Sequence, residues 1–167
     1  MDQRDHRAFE TAAILVAVLC LGACGADRES TPGDADTTAA KPAADTPALP
    51  RTPSPDGARV YFITPADGDT VTNPVSIEFG LDGMAVVPAG VDEPNSGHHH
   101  LIIDAGMPDL SLPIPANDNY VHFGDGSTKT ERTLSPGTHT LQLLLGDHLH
   151  IPHDPPVASG VITVTVE

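Results

Sequence analysis

From Ala58 onward the chain is cut by proline and glycine into short runs, and none of them repeats with a helical period. Short β-branched or alternating runs between turn signals commit this part of the chain to strands. Val75 to Leu81 is the clearest case. Val75, Ile77, Phe79 and Leu81 alternate with Ser76, Glu78 and Gly80, and side chains on an extended backbone point alternately to opposite faces. Further strands are predicted at Arg59 to Ile63, His98 to Asp104, Lys129 to Leu134, Thr138 to Leu145 and Val161 to Val166. The polar Lys129 to Leu134 reads as an edge, and the leucine-rich Thr138 to Leu145 as a central strand.

This spacing predicts an all-β domain over residues 58–167, an immunoglobulin-like antiparallel β-sandwich, with a small barrel as the alternative. The stretch Pro65-Ala66-Asp67-Gly68-Asp69-Thr70-Val71, followed by Asn73-Pro74-Val75, resembles the first turn and second strand of bacterial immunoglobulin-like modules.

Upstream, Thr11 to Gly22 is almost entirely apolar and follows Arg4 and Arg7. It is shorter than the ~20 residues a spanning helix needs and has the proportions of a signal-peptide core. It ends in Leu21-Gly22-Ala23-Cys24, which resembles a bacterial lipobox. Residues 1–23 are therefore predicted to be a lipoprotein signal peptide, with Cys24 as the lipid-bearing residue. Asp2, Asp5 and Glu10 make the leader less basic than such signals usually are. Gly25 after the cysteine, where Asp commonly signals inner-membrane retention, implies an outer-membrane lipoprotein of the bacterial cell envelope, facing the periplasm. Residues 24–57, rich in Ala, Thr, Asp and Pro, are expected to form a disordered linker holding the domain clear of the membrane.

Eight Lys and Arg against 23 Asp and Glu leave a net charge of -15, which excludes nucleic acid as a partner and suits metal ions. With Cys20 in the leader and Cys24 acylated, the domain has no thiol for a disulfide, a nucleophile or a sulfur-ligated metal site.

The histidines carry the sharpest signal. All but His6 lie within the domain: His98, His99 and His100 in one strand, and His148, His150 and His153 in one loop, with His122 and His139 elsewhere. His-x-His spacing in an extended chain puts two imidazoles on one side, ~6.5–7 Å apart along the backbone. In an immunoglobulin-like order the strand that begins at His98 lies beside the one that ends at Leu145, so the late loop is expected next to the triple histidine, with His122 able to join. His139 is expected at the opposite end. The candidate metal-ligating set is His98, His100, His122, His148, His150 and His153, with Asp147 and Asp154 as ligands or tautomer-fixing partners. Nitrogen donors without thiolate favour zinc or Cu(II). Met84 is a conceivable axial copper ligand.

Enzyme signatures are absent: no Gly-x-Ser-x-Gly elbow, no phosphate-cradling glycine loop and no His-Glu-x-x-His helix. The expectation is a protein that binds a divalent transition metal, copper or zinc, for storage, delivery or sensing, with a hydrolytic or redox metalloenzyme left open because a sandwich with several histidines can hold catalytic copper or zinc. The competing reading is an interaction module for another envelope protein, its histidines forming a structural network.

Several long motifs run through the domain: Gly80-Leu81-Asp82-Gly83-Met84, Gly97-His98-His99-His100-Leu101-Ile102-Ile103-Asp104, His122-Phe123-Gly124, and Leu141 to Asp147 continuing through His150-Ile151-Pro152-His153-Asp154-Pro155-Pro156-Val157. Together they resemble the bacterial exported family catalogued as domain of unknown function 4399, over most of residues 59–167. The chain reads Gly124-Asp125-Gly126 where the family pattern is a plain glycine run. The resemblance implies export and a compact β domain, and implies no activity.

Overall fold

The structure, a computed structural model, describes residues 49–167. The predicted signal peptide, Cys24 and the predicted linker up to residue 48 lie outside the described residues. Those described contain no helix and form strands β1 (Arg59–Thr64), β2 (Thr70–Val71), β3 (Val75–Asp82), β4 (Ala85–Val86), β5 (Ser96–Ile103), β6 (Tyr120–His122), β7 (Lys129–Arg132), β8 (Gly137–Gly146) and β9 (Ile162–Val166).

Two sheets result. One has the order β1-β3-β7; the other runs β2-β9-β8-β5-β4, with β6 also paired to β5. The alternation in β3 sends Val75, Ile77 and Phe79 into the space between the sheets, where they meet Leu101 and Ile103 of β5, Leu141, Leu143 and Leu145 of β8, and Val164 and Val166 of β9. The all-β, two-sheet expectation therefore holds. Two pairings depart from a purely antiparallel arrangement, since β2 runs parallel to β9 and β4 parallel to β5.

The larger sheet is covered on both faces, and this feature creates the site. On its outer side Ile102 and Leu144 pack beneath Ile114 from the connection between β5 and β6. As a result all eight residues of β5 are buried, including His98, His99 and His100 at 0% exposure. His99 faces inward, its ring 4.7 Å from that of Phe79, while His98 and His100 share the opposite, outer side with Ile102.

The ordered contacts begin before Ala58. Thr52 and Ser54 exchange backbone hydrogen bonds with Asp154, and Arg51 donates to the carbonyls of Pro152 and His153. The end of the predicted linker is thus fastened to the histidine-bearing loop.

Candidate metal centre

The ladder register assembles the first part of the site. β5 and β8 pair antiparallel with His98 opposite Gly146, and β5 and β6 pair with His100 opposite His122. His98 and His100, two residues apart, share a face, and a cross-strand neighbour shares it too, so these pairings place three imidazoles on one side of the sheet. The turn after β8 supplies a fourth. The His150 amide donates to the Asp147 carbonyl at 2.9 Å, and the His150 carbonyl accepts from the Ile114 amide at 2.8 Å. Its φ of 66° is a left-handed conformation unusual for a side-chain-bearing residue. Held from both sides, His150 sets its ring 4.9 Å from that of His98 and 4.7 Å from that of His122, centroid to centroid.

The spacing suits coordination. Nε2 of His98 and Nε2 of His100 lie 3.1 Å apart, and ligand nitrogens of His98, His100 and His122 all fall within 4.8 Å of one another. An ion bound at ~2.0–2.1 Å in tetrahedral geometry needs its nitrogens about 3.3 Å apart, so the β5 pair is already placed and His122 closes by at most roughly 1.5 Å, while His150, its ring 6.1 Å from that of His100, stands outside this group of three. His98 and His100 form the closed floor, while His122 and His150 are half-buried at the mouth.

Two glycines make room for the rings. A Cβ on Gly146 would sit 3.0 Å from His100 Nε2 and 3.2 Å from Ile114, and one on Gly124 would sit 2.8 Å from His122 Nε2. Their role depends on three-dimensional approach, and only the family-like Gly124 run hints at it in the sequence.

Burial keeps the His98 and His100 imidazoles neutral. Desolvation first, then the neighbouring His150 and His122 rings, lower the His98 pKa to about 4. Desolvation and the rings of His98, His122 and His150 push His100 to about 2. His122 is lowered as well, chiefly by burial. Neutral imidazole is the ligating form, so no proton has to leave before an ion binds near neutral pH.

A purely hydrogen-bonded account leaves nitrogens stranded. One proton between the two Nε2 atoms can link His98 to His100, yet His122 Nε2 is buried without a partner. An ion shared by the three rings would satisfy all three nitrogens together. The Nδ1 atoms of His98 and His100 have no protein acceptor, so packing rather than an outer hydrogen-bonded layer orients those rings.

The other expected ligands sit elsewhere. Asp147 is buried but fully engaged: Oδ1 accepts the amides of Leu149 and Ile151 at 2.9 Å, and Oδ2 accepts the Thr52 hydroxyl at 2.7 Å. It shapes the turn that carries His150. Asp154 points outward to Arg51 at 3.3 Å. His153 is buried and its Nε2 lies 3.1 Å from the Ser96 carbonyl, pinning the loop to β5. His148 lies 3.5 Å from the exposed Asp92. The His-x-His rule holds for His98 and His100 on a strand and does not carry over to His148 and His150, because residues 147–150 form a turn. Met84 packs against the inter-sheet core, on the other side of β5 from the cluster, and is not placed to be an axial ligand. His139 lies at the far end of β8, as expected, with Nδ1 2.6 Å from Asp104.

A family model described as a domain of unknown function (DUF4399) matches residues 77–167, a span that contains all four converging histidines. No curated protein and no solved structure matches the chain.

Proposed function

The chain belongs to the DUF4399 family, and for this member we propose a divalent transition-metal binding function centred on His98, His100 and His122, with the neighbouring His150 ring as a fourth donor. One observation carries the reading: two fully buried, neutral imidazoles present Nε2 atoms 3.1 Å apart beneath two further imidazoles at a half-open mouth. All-nitrogen donors without thiolate suit zinc or Cu(II). An immunoglobulin-like sandwich, lipid-anchored through Cys24 in the bacterial envelope and holding such an ion for storage, delivery or sensing, is the setting we infer. The lipobox-like segment and the acidic balance of the sequence support that setting. A centre with two ligands near the surface suits exchange of the ion better than permanent burial.

The test is elemental analysis of untagged full-length protein, grown with zinc and copper and purified without chelators. Near-stoichiometric metal that disappears in the His98→Ala/His100→Ala variant is the expected result. A folded wild-type protein that carries no metal and takes up neither added zinc nor copper would overturn the proposal.

A further inference from the structure

A second site lies on the open flank of the sandwich. β6 pairs only with β5, and β7 only with β3, so each is an edge strand, and a groove of about 480 Å³ runs between them. Ile103, Val121 and Leu134 form its apolar wall, and His122 and Arg132 also line it. Pairing of Val75 with Arg132 and of Ile77 with Thr130 puts Arg132 on the same side of its sheet as the buried core residues Val75 and Ile77. The Arg132 guanidinium is therefore directed into the inter-sheet space. Its Nε is buried and has no hydrogen-bond partner, and no carboxylate pairs with it among the described residues, whereas Arg51 and Arg59 each have one.

A buried guanidinium nitrogen without an acceptor is costly, and the planar fork of the half-buried Arg132 matches a carboxylate. We propose that the groove binds a small organic carboxylate, with the anionic head on Arg132 and an apolar body against Ile103, Val121 and Leu134. The volume falls within the ~300–1,000 Å³ of small-molecule sites. The exposed Asp118 also lines the groove, and its negative charge favours a monocarboxylate over a polyanion. The acidic balance of the whole chain opposes anions only weakly at physiological salt, where the screening length is about 8 Å.

The groove shares His122 with the proposed metal centre but its anion head rests on Arg132, and it is tested without metal. Chelator-treated full-length protein is titrated with benzoate, and with benzyl alcohol as its neutral counterpart, while backbone amide shifts are followed by NMR. Benzoate is expected to saturate with a Kd on the order of millimolar and to shift residues 117–122 and 132–134, with benzyl alcohol much weaker. Arg132→Gln should weaken benzoate roughly tenfold to a hundredfold and leave benzyl alcohol unchanged, and Arg132→Lys, which keeps the charge, should fall between. Absence of saturable benzoate shifts in the wild-type protein overturns the proposal. So does equal binding of benzoate and benzyl alcohol, or benzoate binding that survives Arg132→Gln.

Discussion

The domain places histidines in two opposite settings at the two ends of β8. Near its beginning, His139 is surrounded by partners: Nδ1 meets Asp104 at 2.6 Å and Nε2 meets the Ser135 carbonyl at 2.8 Å. Both ring nitrogens donate there, and the hydrogen bond to Asp104, followed by that to Ser135, raises the His139 pKa. Near its end, His98 and His100 have each other and little else, and burial lowers both. The same side chain is a hydrogen-bonded clasp with its pKa raised in one place and an uncharged donor set in the other. Oxygen acceptors within reach make the difference, and an imidazole left without them is free to bind something else.

The comparison breaks most readily through the metal. His98→Ala/His100→Ala should weaken zinc or copper binding by more than roughly a hundredfold, since even outer-layer partners of metal ligands are worth 10–100-fold. His139→Ala should leave metal affinity unchanged. Calorimetric titration of both variants separates the two ends, and metal loss in His139→Ala would erase the distinction.

Acid should sharpen it further. His98, His99 and His100 are neutral when folded but titrate near ~6.5 once exposed, so below that pH unfolding takes up protons and stability falls. The slope for metal-free protein should approach three protons between about pH 6.5 and pH 5. His139 acts in the opposite sense. Its folded pKa is raised, so the contribution of its pairing with Asp104 is complete below ~6.5 and is lost as pH rises through the raised value. Urea unfolding of the wild type below about pH 6.5 tests the first, and comparison with Asp104→Asn from about pH 6.5 upward tests the second, where the penalty of Asp104→Asn should shrink as pH rises.

Smaller effects follow from the glycines and the loop. Gly124→Ala should displace His122 and weaken metal binding roughly tenfold with little change in thermal midpoint, because the clash is with the ring of a half-buried residue. His153→Ala removes the bond to Ser96 and should cost about 1–3 kcal/mol of stability while metal affinity changes less than about threefold. A large metal effect there would make His153 part of the centre.

Much of this was legible in the residue order. The alternation from Val75 to Leu81, the pairing of the His98 strand with the one ending at Leu145, and the shared face of His98 and His100 all follow from a period of two. What escaped depends on local backbone and on long-range cover. The short strands β2, β4 and β6 have too few residues to show a period. Burial of β5 on both faces is hinted at by Leu101-Ile102-Ile103, yet it requires Ile114 to fold over the sheet. Selection of His150 over His148 and His153 rests on one turn: Asp147, expected as a ligand, spends its oxygens on that turn instead.

The fastening of residues 51–54 has a mechanical meaning. Thr52 grips Asp147, and Pro53 and Ser54 join Asp154, so these bonds lie in line ahead of β1. A pull applied from the N-terminal side of Arg51 would load the loop bearing His150 before it reached any strand of either sheet. Because Asp147 sets the turn that aims His150, tension would be felt first as a displaced rim imidazole, with the buried pair on β5 still seated in its ladder.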